Sequence, residues 1–318
     1  MAALSFILQC KPLIIEPCHH LAMSKLVALA RWTQRDLIKL AKAENQPQLL
    51  TIPYSHYCEL AAWSLDRAAK PYREHGYAPG EHVLPSLALR VAGAERHLSS
   101  TSRVDAMPRT AAEVGEPRPR PRSNATAVPA LVMPDGAVLA DSWAIAEAVQ
   151  GPVDPALKAL LDEDLGPLSR QWIYEKLFRE ANANVWDDLA GAGRGPLFGA
   201  AWSVMSPRLT ESMRRLFRTH SDEAMKVCDD RLAETLDRAN GFLEKSGGEF
   251  LGGDAPSIED VAMATLAAPL VLPANFARGK YASPFEQLLA QDAEMQAQVE
   301  AYRATPVGAH ALKVYEHR

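Results

Sequence analysis

The chain has 318 residues, 47% of them hydrophobic and 23% charged, with a formal net charge of −5. That supplies enough apolar side chain for one large core or two smaller ones, and the weak negative charge excludes a global pull toward nucleic acid or anionic membrane. Four scattered cysteines, Cys10, Cys18, Cys58 and Cys228, exclude a disulfide framework and suit a reducing compartment.

Residues 1–47 read as an N-terminal extension. Its start, MAALSFILQCK, has no basic residue ahead of the apolar run, which argues against a secretory signal. The basic, amphipathic stretch SKLVALARWTQRDLIKLAK leaves organelle targeting by residues 1–45 open, with the cytoplasm as the favoured location. Cys18-His19-His20 with Cys10 lacks a second pair to complete a tetrahedral metal set, so no metal is expected.

From residue 48 the pattern becomes that of a small α/β domain, 48–150. QLLTI is a short apolar strand. The segment 55–69 carries Cys58, Ala61, Ala62, Leu65 and Ala68 at helical spacing. KPYREH is a second strand, and the stretch from Tyr77 to Gly93 reads as a loop with a helical turn. Residues 96–127, with alternating Pro and Arg and no apolar period, form a polar insertion that cannot bury a core. Two β-rich runs flank the turn Pro134-Asp135-Gly136 and predict a hairpin. Asp141-Ser142 opens the next helix.

Residues 151–318 have helical period throughout and predict an all-α domain. The segment from Pro167 to Gly191 reads as one helix, and GAGRGPLFG after it as an interhelical loop. The next helix is capped by Ser221 and closed by Gly247-Gly248, with Met225, Cys228, Leu232, Leu236, Ala239 and Leu243 on one face. Ser257 and Asp260 stand at capping-box spacing. The longest apolar run, Val261 to Leu272, contains Pro269 and is too short for the roughly 20 residues of a bilayer span. C-x-x-C, H-E-x-x-H, G-x-S-x-G and Walker motifs do not occur.

The strand, proline turn and helix of IPYSHYCELAAWSLDRA resemble the glutathione transferase superfamily. So do the hairpin and acidic-Ser helix start of VPALVMPDGAVLADSWAI, and the segments FLGGDAPSIEDVAMATLAAPLVLP and RATPVGAHALKVYEHR. The resemblance covers most of residues 48–318 and looks like a bacterial-type, transferase-like branch. It implies a thioredoxin-like, glutathione-binding N-terminal domain followed by an all-α helical-bundle domain. It also implies a cis peptide bond into Pro129, so that Val128 pairs with the cysteinyl main chain of glutathione. Asp141 and Ser142 would take the γ-glutamyl end: its carboxylate at a helix N-terminus, its ammonium at Asp141. The alternative for this pair is simple helix capping.

Where the superfamily commonly keeps its thiol-activating residue, this chain has Ile52. Isoleucine can neither donate a hydrogen bond nor form a mixed disulfide, which counts against cysteine-type exchange. Ser55, at the helix start, is the leading replacement, with N-capping as its alternative. Tyr54 and Tyr57 are either phenolic donors or packing residues. Cys58 is expected to be buried and inert, and His56, a candidate base beside the turn, to be an exposed first-turn histidine. His82 falls in a region that often helps to hold glutathione. Tyr174, Phe178, Trp186 and Trp202 are candidate walls for the electrophile, with core packing the expectation for each.

The functional expectation is a cytoplasmic glutathione transferase-like enzyme of detoxification, using glutathione as co-substrate against an apolar electrophile, with no metal, nucleic acid or membrane partner. Family members commonly pair, so a homodimer is part of that expectation. The rival is a transferase fold kept as a non-catalytic binding or scaffold module.

Overall fold

The computed structural model describes residues 37–91, 127–191 and 196–318. Residues 1–36 and nearly all of the expected 96–127 insertion lie outside them, as do the expected Cys10/Cys18-His19-His20 cluster and residues 192–195 of GAGRGPLFG.

Four strands form one mixed sheet: β1 (Gln48–Thr51), β2 (Arg73–Gly76), β3 (Ala130–Val132) and β4 (Val138–Ala140), in the order β2-β1-β3-β4. β1 and β2 are parallel, joined through α1 (His56–Arg67), whereas β3 runs antiparallel to both β1 and β4. This is a thioredoxin-like sheet. The β3–β4 hairpin closes on Met133 and Ala137, with Gly136 at φ +91° and Asp135 Oδ1 accepting the Ala137 N–H at 2.9 Å. That is the turn chemistry its Pro-Asp-Gly run calls for.

Strand alternation sends Leu49 to one face of the sheet and Leu50 to the other. Leu49 and Leu131 pack with Ala61, Ala62 and Leu65 of α1 and with Ile145 of α3 (Ser142–Gln150). Leu50 packs with Ala130, Val132, Leu37 and Ala41, and with Leu89 of α2 (Val83–Val91). Residues 37–44 are helical, so the end of the expected extension helps to cover the sheet. The stretch from Tyr77 to Gly93 holds more helix than a single turn. α2 tolerates Pro85 because the third residue of a helix has no intrahelical acceptor to lose.

The rest is helical: α4 (Pro155–Ala159), a wide π-type turn (Leu160–Leu165), α5 (Gly166–Leu177), α6 (Ala183–Gly191), α7 (Pro196–Leu216), α8 (Asp222–Ser246), α9 (Ile258–Val271), α10 (Ala282–Gln291), α11 (Ala293–Arg303) and α12 (Pro306–Tyr315). The segment from Pro167 to Gly191 is therefore not one helix. It breaks after Leu177, where Arg179 is extended and a 3-10 turn, Glu180–Asn182, follows. Asn182 Nδ2 donates to the Lys176 carbonyl at 2.9 Å, satisfying a group that the break would otherwise strand. GAGRGPLFG is likewise not all loop, since α7 begins at Pro196.

α8 starts on Ser221, whose side chain accepts the Ala224 N–H, and ends on left-handed Gly247. Cys228, Leu232, Leu236 and Ala239 of its apolar face are buried. α9 is buried over nearly its whole length and forms the centre of the helical bundle. Among the described residues no helix is long and apolar enough to cross a membrane.

Candidate functional site

The strand register brings the sequence candidates to one end of the sheet. Leu50, near the end of β1, pairs with Ala130 at the start of β3, and Ala130 pairs with Ala140 at the end of β4. The turn after β1 that carries Ser55, the segment Val128-Pro129 and the pair Asp141-Ser142 therefore lie side by side. The Val128–Pro129 peptide bond is cis, the β3 ladder begins only at Ala130, and the Asp141 N–H donates to the Pro129 carbonyl at 3.2 Å.

Asp141 sits at φ +121°, a region that an aspartate enters at a cost of about 1–3 kcal/mol and that clusters at functional sites. Its Oδ1 accepts the Trp143 N–H at 2.8 Å, so it caps α3. Ser142 is wholly buried, with its hydroxyl 3.5 Å from Asp141 Oδ1. Val128 is half-buried and Pro129 buried.

In the turn after β1, the Ser55 N–H donates to the Ile52 carbonyl at 2.8 Å, and the Ser55 carbonyl accepts from Glu59 to begin α1. The Ser55 side chain makes no capping bond. The Cys58 sulphur, near the other end of that turn, accepts the Ile52 N–H at 3.4 Å. Burial pushes the Cys58 thiol up to about 12, against the lowering influence of the Ile52 N–H and of nearby Ser55. It is a buried thiol without nucleophilic character at neutral pH.

His56 departs from expectation. It is buried, and its Nε2 lies 3.1 Å from the Gly166 carbonyl at the start of α5. His82 is held low, to about 4, by burial, with its Nδ1 3.5 Å from the Ala78 carbonyl; at neutral pH it carries no charge to offer an anion.

The aromatic candidates gather where the turn meets the helical domain. Phe178, Trp186 and Trp202 are buried in mutual contact, Phe178–Trp186 at 5.3 Å and Trp186–Trp202 at 5.8 Å between ring centres. Tyr174 stacks on Phe178 at 5.1 Å and on Phe217 at 4.6 Å but stays half-buried, as does Tyr54. Among the described residues there is no group of three or more side chains suited to a metal ion.

No protein-family model matches the sequence, and no curated protein matches it. The structure is similar to solved glutathione transferases at low identity. One from Ceriporiopsis subvermispora, in complex with glutathione, is 14% identical over 86% of this chain and 99% of its own, with a TM-score of 0.45. One from Phanerochaete chrysosporium is 17% identical over 82% and 96%, with a TM-score of 0.42. One from Methylobacillus flagellatus, with glutathione bound, is 14% identical over 84% and 98%, with a TM-score of 0.39.

Proposed function

We propose that this chain, a thioredoxin-like domain followed by a helical bundle as in the glutathione transferases, binds glutathione beside Val128-Pro129 and presents its thiolate to an apolar electrophile. The observation that carries this reading is the convergence at one end of the sheet. The Ser55 turn, the Val128-Pro129 segment just ahead of the first paired residue of β3, and an aspartate at an unfavourable φ lie next to one another.

In this reading the cysteinyl main chain of glutathione pairs with Val128, and its ammonium meets the Asp141 carboxylate. The γ-glutamyl carboxylate lies on the free N–H groups that open α3. The Ser142 hydroxyl joins in only if it turns out of its present burial. The thiol, with a free pKa of about 8.5, is lowered by the Ser55 hydroxyl and the start of α1. The thiolate then attacks the electrophilic carbon and the displaced group leaves with its electron pair. The protein contributes thiolate stabilisation and proximity of the two reactants. Cytoplasmic detoxification and pairing as a homodimer belong to the same proposal.

A second reading, a binding or scaffold module without turnover, is favoured by Ile52 and by the burial of Ser142. Retention on immobilised glutathione decides whether there is binding at all, and no retention of the wild type ends the first reading. Asp141→Asn keeps the shape of the side chain and an acceptor for the Trp143 N–H. It should still weaken glutathione by about tenfold or more through loss of the charged pair; unchanged affinity removes Asp141 from the site. Conjugation of a generic aromatic electrophile by wild type and Ser55→Ala separates enzyme from scaffold. The enzyme reading expects a measurable wild-type rate that falls by about tenfold or more in the variant.

A further inference from the structure

We infer a binding site for a small zwitterionic amino acid, about the size of glycine, in a cleft between β2, α1 and the loop that follows α9. Arg278 and Lys280 take its carboxylate and Glu74 its ammonium. The site does not depend on the transferase reading. β2 flanks β1 on the side away from β3, whereas Val128-Pro129 and Asp141 belong to the β3–β4 side.

The cleft is walled by Glu59 and Ala62 of α1, Glu74 of β2, and Ala277, Arg278 and Lys280 of the loop, and leaves about 260 Å³ of empty space, part of it open to solvent. That is below the roughly 300–1,000 Å³ of sites for drug-sized ligands, so the occupant is small. The fully enclosed part has space for about one water molecule, so the ligand extends toward solvent. The loop reaches this position at a cost. Ala277 and Arg278 both adopt the left-handed region, at φ +49° and +58°, ahead of Gly279 at +76°. Each non-glycine residue there costs about 1–2 kcal/mol, and such outliers gather at binding sites.

The charges around the cleft are unequally served. Arg278 Nε and Nη2 donate to Asp66, at 3.2 and 2.7 Å, and Arg318 donates to both Glu59 and Asp66. Glu74 Oε1 accepts the Thr51 hydroxyl at 2.8 Å. Arg278 Nη1 and Lys280 Nζ remain, 3.8 and 3.7 Å from Glu74 Oε2, too far for a hydrogen bond. Glu74 is only 20% exposed, so this oxygen has given up much of its water without gaining a direct partner among the described residues. Gaps of that width take an intervening polar group. Three cations, Arg278, Lys280 and Arg318, stand here with three carboxylates, Glu59, Asp66 and Glu74. A lone anion would face Glu74, and a lone cation would face Arg278 and Lys280. A zwitterion serves the two donors and the acceptor together and leaves the charges balanced.

The test is equilibrium dialysis of the full chain against radiolabelled glycine in low-salt buffer, with unlabelled acetate and methylammonium as competitors. Uptake should saturate. Unlabelled glycine should displace the label at about a tenth of the concentration that either competitor needs, since each carries only one of the two charges. Lys280→Met and Glu74→Gln should each weaken glycine by about tenfold. The glutamine keeps an acceptor for the Thr51 hydroxyl, and thermal midpoints near that of wild type separate lost binding from lost fold. Asp141→Asn should leave glycine binding unchanged. No saturable uptake, displacement by acetate or methylammonium as readily as by glycine, or wild-type affinity in either cleft variant overturns the proposal. Weakened glycine binding in Asp141→Asn also overturns it, because the amino acid would then sit at the end of the sheet. Glycine bound in the cleft of a chain that is not retained on glutathione leaves this site standing and removes the transferase reading.

Discussion

The first turn of α1 touches the helical domain through contacts that no local pattern announces. His56 and Tyr57 follow a cap-like serine, and nothing nearby in sequence says that they are buried; their partner is Gly166, 110 residues along the chain. Gly166 is a glycine because of that approach: a Cβ there would lie 2.5 Å from Tyr57 Oη and 3.2 Å from the Leu161 carbonyl. Alanine is otherwise the better helix former by about 1 kcal/mol, so propensity and packing oppose each other and packing should win. Gly166→Ala should destabilise by about 1–3 kcal/mol in urea unfolding. Adding Tyr57→Phe, which removes the nearest atom, should recover most of the loss. Stability equal to wild type in the single variant would mean that α1 and α5 do not approach this closely. Ser55 and Asp141, by contrast, were legible as helix-opening residues. What stayed hidden was their orientation, because a sequence shows that Ser55 can cap but not that its side chain leaves the cap bond unmade.

Individual helices were read best where their ends are written in chemistry. Ser257 and Asp260 announce the start of α9, and both halves of the box form: Ser257 Oγ accepts the Asp260 N–H at 3.3 Å, and Asp260 Oδ2 accepts the Ser257 N–H at 2.7 Å. The same carboxylate takes the N–H groups of Leu251 and Gly252, at 2.7 and 3.1 Å, and lies 3.0 Å from His310 Nε2 on α12. Those further partners come from elsewhere in the chain and leave no local mark. The break after Leu177 was missed for the same reason, because apolar period continues across it while the side chain of Asn182 ends the helix. Burial tends to raise Asp260, but the nearby His310 imidazole foremost, and the Ser257 and Leu251 hydrogen bonds, outweigh it and hold the carboxyl at about 2. Its folded value lies below the ordinary 3.8. The stabilisation is therefore fully present above about pH 4 and is lost as pH falls through 2. Asp260→Asn should flatten that limb of the stability–pH curve, measured by urea midpoints between pH 5 and 2. The variant should also cost about 2–4 kcal/mol at pH 7, from a broken buried network. A limb as steep as the wild type's would place the acid sensitivity elsewhere.

At the scale of the whole molecule, α1 is the shared wall between the sheet and the helical bundle. Ala61, Ala62 and Leu65 face the sheet, while Tyr57, Leu60 and Trp63 face the bundle. The stripe on the sheet side was visible in the sequence; the second apolar face was not, because its partners lie beyond residue 155. Two acids on this helix bind cations from the bundle side, in different surroundings. Glu59, 3% exposed, accepts from Arg318 Nε at 2.8 Å and from the Ala277 N–H at 3.2 Å. The Arg318 side chain is itself 4% exposed and lies over the Trp63 ring. Asp66 meets Arg278 at 2.7 Å where both are partly in water, at 28% and 41% exposure, and it also accepts from Arg318 Nη1 at 2.6 Å. Removing one member of a desolvated pair leaves a charge stranded, whereas an exposed pair has solvent to fall back on. Arg318→Met should therefore cost about 3–5 kcal/mol, and Arg278→Met less than about 1 kcal/mol. Glu59→Gln added to Arg318→Met keeps an acceptor for the Ala277 N–H while discharging the buried carboxylate. It should restore much of the loss, because Asp66 still has Arg278. Urea unfolding of the three variants decides the point: equal costs for the two arginines, or no recovery in the double variant, would mean that the burial of the Glu59 pair does not control how the two halves hold together.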